Sequence, residues 1–239
     1  MPIEEIRTIA SGKVNAYVVR SEGKIILVDT GMKGKYKKAE RALASMGSDC
    51  TDIDLVILTH THYDHSGNAA ECKKTSGASI VVHAAEAENL RSGISLIPSG
   101  ATSLGKIAVG LAKALGFGKV KFPSVEPDTV FGASAQEAGF ADGEIPSFDL
   151  HSYGFPGIAL HTPSHSPGSL SLISDEGSCF PGDILFNIFP GTVMPPVADK
   201  PELLAAHWRL LLNRGARRFY PGHGKPFDKD RLEKELESL

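Results

Sequence analysis

Six consecutive residues, His60-Thr61-His62-Tyr63-Asp64-His65, carry four side chains that bind divalent metals. Neutral imidazole and ionised carboxylate are both available near pH 7, and both are good ligands for zinc and its neighbours. On a tight turn His60 and His62 can share one direction. Asp64 and His65 are adjacent and tend to point apart, so the four need not reach one ion, which is a reason to expect two. Packing alone does not explain four such residues in six, because burying them without partners carries an uncompensated desolvation cost. Three more residues of metal-binding type follow at the ends of short apolar runs. His165 lies in His161-Thr-Pro-Ser-His165-Ser-Pro-Gly168, Asp183 in Phe180-Pro-Gly-Asp183, and His223 in Tyr220-Pro-Gly-His223-Gly224. Each alone is weak, since Pro-Gly-Asp is ordinarily a turn.

The elements that must position these residues can be read from the pattern. Leu55-Val56-Ile57-Leu58 is an apolar run that reads as a buried strand feeding into the cluster. A helix is expected from Asn68 to Thr75. Upstream, Ile3–Ile9, Asn15–Arg20 and Lys24–Asp29 read as strands punctuated by Ser11-Gly12 and Glu22-Gly23. The third ends in Asp29-Thr30-Gly31, where Asp29 either orients a ligand histidine or forms the turn. Lys35–Met46 reads as a helix stopped by Gly47. Ser79–His83 reads as a further strand, and His83 at its end reads as structural.

Residues 84–145 look like an apolar insertion. Glu86–Arg91 begins helically. Leu104, Ile107, Ala108, Leu111, Ala112 and Leu115 then fall on one helical stripe closed by Gly116. Such an insertion either caps the site and walls a substrate pocket, makes a dimer contact, or adds core. Beyond it, Ile145–His151, Gly157–His161, Ser169–Ser174, Ser178–Phe180 and Arg217–Tyr220 read as strands. Asp199-Lys-Pro-Glu202 reads as a capping box opening a helix that carries Leu204, Trp208, Leu211 and Leu212 and ends at Gly215. A short charged helix is expected after Asp228. His151, His161 and His207 read as structural, with His161 near enough to the His165 loop to support it. Tyr63, Phe186 and Phe189 adjoin the candidate ligands and suit pocket lining or ordinary packing equally.

Composition narrows the class. The chain has 239 residues, a formal net charge of −3, 41% hydrophobic and 22% charged residues. This is ordinary for a globular protein, and the length suffices for one large domain or two small ones. No block of lysine and arginine stands out, so no nucleic-acid partner is expected. No run approaches the roughly 20 apolar residues of a membrane span. Cys50, Cys72 and Cys179 are widely spaced and odd in number, which fits a reducing compartment. The N-terminus lacks the basic start and apolar stretch of a signal peptide, and a cytoplasmic location is the expectation.

Taken in order, H-x-H-x-D-H at His60–His65, T-P-x-H-x-P-G around His165, G-D at Asp183 and P-G-H-G around His223 resemble the metallo-β-lactamase-fold superfamily. Val28-Asp-Thr-Gly31 agrees, and the likeness runs along nearly the whole chain. Ser164 departs from it, standing where the family often has glycine. The resemblance implies an α+β fold, a four-layer αββα sandwich of two mixed sheets between helices, forming a single domain over 1–239. It also implies a ligand set. His60, His62 and His165 would hold one metal; Asp64, His65 and His223 would hold a second; Asp183 would bridge them. Zinc is the expected ion, with iron and manganese as alternatives. Two such cations about 3.5–4 Å apart can share a hydroxide that attacks a substrate carbonyl, with Asp64 orienting it and passing a proton.

Within the superfamily, zinc β-lactamases generally carry cysteine or no bridging acid at the Asp183 position. Diiron oxygen reductases carry an acid at the His62 position and a flavodoxin module. Hydroxyacylglutathione hydrolases share the seven ligands but usually add a C-terminal helical domain, whereas this sequence ends soon after His223. The tRNA-processing endonucleases call for a basic exosite that is not evident. The expected function is therefore dinuclear-metal hydrolysis of an ester, lactone or thioester with an apolar portion, in the lactonase and hydroxyacylglutathione-hydrolase-like branch. A homodimer is compatible with it. The alternatives are a mononuclear iron persulfide dioxygenase, a phosphodiesterase or β-lactam hydrolase of the same fold, and a non-catalytic binder.

Overall fold

The computed structural model describes residues 2–116, 118–132 and 147–239, with the side chains of a few further residues left out of the description. Its frame is two six-stranded sheets. The first runs, in spatial order, Glu5–Ser11, Val14–Ser21, Lys24–Val28, Ile53–Ile57, Ser79–His83 and Thr129–Phe131. It opens as an antiparallel meander and turns parallel from Lys24–Val28 onward. The second runs Phe227–Asp228, Arg218–Phe219, Ser178–Phe180, Leu170–Ser174, Gly157–His161 and Ser147–Asp149. The helices are α1 (Lys37–Ala44), α2 (Ala69–Ser76), α3 (Ala84–Ser92), α4 (Ser103–Ala114), α5 (Leu204–Asn213) and α6 (Lys229–Glu237).

Side chains alternate across a strand, so a sheet buried on both faces must be apolar at every position. The strands of the first sheet obey this. Val18, Leu27, Val56, Ile80 and Val82 face one core, shared with Leu43 of α1, Cys72 of α2 and Leu90 of α3. Their neighbours Tyr17, Val19, Ile26, Ile57 and Val81 face a second core, between the sheets, shared with Phe155, Leu172 and Phe180. A third core places Leu160, Ile173 and Phe219 against Trp208 and Leu211 of α5 and Leu232 of α6. Three cores between four layers give the αββα sandwich expected from the sequence.

Most element boundaries agree with the pattern to within a residue or two, and two expectations, the Asp199 capping box and the strand over 145–151, need correction. Core, one of the three roles open to the α4 stripe, does not fit its described members: Ile107, Leu111 and Leu115 are 69%, 61% and 64% exposed. The side chains of Leu104, Ala108 and Ala112 lie outside the described residues. The expected capping box at Asp199 does not form. Pro201–Leu203 is a 3-10 turn with Lys200 at its start and no side-chain cap, and α5 begins at Leu204. Asp199 instead accepts a hydrogen bond from the Ser99 backbone at 2.9 Å, tying the insertion to the His165 side of the molecule. The strand expected over 145–151 is Ser147–Asp149, with His151 in a 3-10 turn; residues 145 and 146 lie outside the described residues. Finally, the helix expected from Lys35 starts at Lys37 and ends at Ala44.

Candidate metal centre

The His60 turn leaves the parallel strand Ile53–Ile57 at its C-terminal end. Backbone bonds fix it: His65 N and Ser66 N both donate to His62 O at 2.9 Å. Thr30 N and Thr30 Oγ1 donate to His65 O at 2.7 and 2.8 Å. Asn68, at the start of α2, donates its amide to Thr30 O and Met32 O. The side chains of the turn are thereby aimed rather than free.

The structure brings all seven candidate ligands to this edge. His60, His62, His165 and Asp183 form one group, and Asp64, His65 and His223 another, with the donor atoms of each group within 4.8 Å of one another. Asp183 stands between them. Its Oδ1 lies 3.3 Å from His65 Nε2. Its Oδ2 lies 3.2 Å from His223 Nε2, 3.5 Å from His165 Nε2 and 3.9 Å from His60 Nε2. Asp64 Oδ2 lies 3.6 Å from His223 Nε2. His62 Nδ1 meets His165 Nε2 at 3.0 Å.

Each of the other four imidazoles is oriented through its far nitrogen. His60 Nδ1 meets Thr59 Oγ1 at 3.1 Å, and His65 Nδ1 meets Asp29 Oδ2 at 2.8 Å. His165 Nδ1 donates to Val197 O at 2.9 Å, and His223 Nδ1 donates to Lys13 O at 2.8 Å. Fixing the far nitrogen fixes both tautomer and ring direction, leaving the near nitrogen as a ligand atom. Asp29 is therefore an orienting group, resolving the two readings its sequence allowed. It also accepts from Thr59 N at 2.8 Å and from the Thr59 hydroxyl. Its φ of 61° is left-handed, a conformation aspartate tolerates better than most residues.

His60 Nε2, His65 Nε2 and Asp183 Oδ1 are fully buried and have no hydrogen-bond partner among the described residues. Buried polar atoms are nearly always satisfied, so three orphans in one cluster point to something they bind. The donor set is five imidazoles and two carboxylates, which suits borderline cations such as zinc, iron or manganese. On both grounds the residues fit bound divalent metal.

In the metal-free protein the electrostatics divides the five imidazoles into two sets. Burial, reinforced by the neighbouring imidazoles, pushes His60 well below the ordinary imidazole range. Burial, partly offset by Asp183, pulls His62 and His165 down to about 4. These three are neutral at pH 7 and ready to coordinate. Burial is the largest influence on His65 and His223 and would lower both, but the neighbouring carboxylates together, Asp183 with Asp29 at His65 and Asp183 with Asp64 at His223, raise both. Burial would raise Asp183, but His223 and His65 hold its carboxylate well below the usual range.

Glycine at the Pro-Gly-His turn has a steric reason. A Cβ on Gly222 would strike Asp183 Oδ1 and the His65 ring. The same turn is held from the other sheet, where Tyr17 OH donates to Pro221 O at 2.7 Å and Asn15 N donates to Gly222 O at 2.7 Å.

The residues expected to be structural are so placed. His83 stacks on His161 at 3.9 Å and caps α3 by accepting from Ala85 N. His161 Nε2 donates to Pro167 O at 2.9 Å, bracing the His165 loop. His207 Nδ1 meets Ser164 Oγ at 3.1 Å, giving the serine at that departure a bonded role. Phe186 stacks on His223 at 4.3 Å. Sequence reasoning missed Glu86, which is 1% exposed beside the first triad. A cavity of about 410 Å³ opens beside His62 and is lined by Glu86, Leu96, Ile97 and Pro98. The insertion thus supplies apolar wall to the space next to a candidate ligand.

The "Probable metallo-hydrolase" of Methanocaldococcus jannaschii is 28% identical over 218 residues, covering 90% of this chain and 89% of that protein. An acyl-coenzyme A thioesterase of Bos taurus is 25% identical over 241 residues, covering 93% of this chain and 77% of that protein. Among solved structures, BJP-1, a subclass B3 metallo-beta-lactamase of Bradyrhizobium japonicum, superposes with a TM-score of 0.64 at 20% identity, covering 99% of this chain and 88% of that one. That likeness shows the fold alone. The family described as the metallo-beta-lactamase superfamily matches residues 11–223, and the chain belongs to it.

Proposed function

We propose that the protein is a dinuclear-metal hydrolase of an ester, lactone or thioester with an apolar portion. The observation that carries this reading is the convergence of seven ligand-type side chains on three buried, unpartnered polar atoms. His60, His62 and His165 would hold one ion, Asp64, His65 and His223 the other, with Asp183 shared. A pair of bound divalent cations supplies a water of lowered pKa and a Lewis acid for the substrate's carbonyl oxygen.

The chain's own groups do the rest. His62 and His165 enter the reaction neutral, because their depressed pKa values leave no proton to displace near pH 7. Asp64 is the least buried of the carboxylates in the cluster, at 18% side-chain exposure. It can therefore reach both the cluster and the substrate space, orient the attacking water and take its proton. The cavity lined by Leu96, Ile97 and Pro98 accommodates an apolar acyl portion beside His62. The thioesterase named among the relatives supports a thioester as one member of the substrate class.

Turnover on a panel of lactones and acyl thioesters tests the reading. Metal-replete protein is expected to cleave at least one class, and chelation or His62→Ala is expected to abolish cleavage. Undiminished activity after complete metal removal would contradict it.

A further inference from the structure

Glu86 is a buried carboxylate that the proposed chemistry does not use. It sits in the first turn of α3 and is 1% exposed. Among the described residues it is in no ion pair. Its two oxygens face two different loops. Oε2 accepts from Thr61 N at 3.2 Å and from the Thr61 hydroxyl in a short hydrogen bond. Oε1 accepts from Ser166 Oγ at 2.6 Å and from Gly168 N at 3.1 Å. Asn89 Nδ2 approaches Oε2 at 3.5 Å.

The identity of these donors matters. Thr61 lies between His60 and His62. Ser166 directly follows His165. All three histidines of one triad are thus flanked by residues bonded to a single carboxylate, although they come from distant parts of the chain. Gly168 is shaped to the same group, since a Cβ there would stand 2.5 Å from Glu86 Cγ and 3.1 Å from His83 Nδ1. No comparable bond runs from Glu86 to Asp64, His65 or His223. Neutral side chains could join two loops at lower desolvation cost. A carboxylate with five donors converging on it suits a site that needs both fixed geometry and negative charge beside a cation.

Resting on the metal-centre reading above, we propose that Glu86 is a positioning residue for one ion only. It locks the His60–His62 turn to the His165 loop, so it sets the affinity of the His60/His62/His165 ion and leaves the Asp64/His65/His223 ion unaffected. Glu86→Gln tests this with little change of shape. The amide keeps one acceptor but sets an NH2 against Thr61 or against Ser166 and Gly168. At least one backbone N–H then loses its acceptor.

The experiment is zinc titration of metal-stripped full-length protein against a competing chelator, in backgrounds that each retain one triad. In His223→Ala, where the first triad remains, Glu86→Gln is expected to weaken binding by about 10–100-fold. In His165→Ala, where the second triad remains, the same change is expected to leave affinity unaltered. Equal weakening in both backgrounds, or none in the first, would overturn the proposal. Failure of the unsubstituted protein to bind two ions would instead overturn the metal-centre reading beneath it. Thermal unfolding of the stripped variants checks that they fold. Should Glu86→Gln not fold, Ser166→Ala removes one of the bonds while keeping the carboxylate. It is expected to give a smaller loss confined to the first triad, and equal losses at both triads would again overturn the proposal.

Discussion

At the scale of single residues, the centre is a set of imidazoles whose protonation has been divided by their surroundings. Burial holds His62, His165, His83 and His207 down to about 4 and pushes His60 well below the ordinary value of about 6.5. In the metal-free protein these groups bind fewer protons folded than unfolded between roughly pH 6.5 and 4, so their contribution to stability is whole above that window and lost as pH falls through it. His65 and His223 are raised by Asp183, so their contribution runs the other way and is lost as pH rises above the same point. Melting temperature of metal-stripped protein is therefore expected to fall steadily from pH 6.5 to 4. A flat profile across that window would contradict the burial assigned to these rings. Gly222 offers a second test. Gly222→Ala pushes a methyl group at Asp183 and His65, and metal affinity is expected to drop by about 10–100-fold while circular dichroism stays native. Unchanged affinity would mean that the turn can yield.

At the scale of elements, what the sequence disclosed depended on how local the signal was. Four ligand-type residues in six at the end of Ile53–Ile57 are a local pattern, and so are the strands whose continuous apolar character reflects cores on both faces. Glu86 was invisible for the opposite reason. In Ala84-Ala-Glu-Ala-Glu88 it looks like an acid on the wet side of a helix, and only donors from residues 61, 166 and 168 show otherwise. The stripe on α4 shows the limit from the other side. Its period is correct for a helix, but period does not say what covers a face, and Ile107, Leu111 and Leu115 lie open. Likewise Asp199 had the spacing of a capping box, yet a long-range bond to Ser99 won. Helix α5 supports the site through the core behind Asp183. Trp208 is fully buried and donates from Nε1 to Ile184 O at 2.7 Å, one residue after Asp183. Trp208→Ala is expected to cost about 3–5 kcal/mol in denaturant unfolding. A loss under about 1 kcal/mol would mean that the third core repacks around the gap.

At the scale of the whole molecule, two sheets deliver the ligands to one edge from opposite sides. The first sheet contributes His60, His62, Asp64 and His65 beyond a parallel strand. The second contributes His165, Asp183 and His223 from loops that follow Gly157–His161, Ser178–Phe180 and Arg218–Phe219. Bonds such as Tyr17 to Pro221 and Asn15 to Gly222 cross between the sheets and fix their relative placement at the site. The insertion adds the wall of Leu96, Ile97 and Pro98 beside His62, which accounts for the apolar substrate portion in the proposed function. Among the described residues no helix is long and apolar enough to cross a membrane.

The most direct test of the central claim is elemental analysis of freshly purified protein, paired with the same measurement on His223→Ala. Two divalent ions per chain are expected in the first and one in the second. One ion or none in the unsubstituted chain, or two retained without His223, would contradict it.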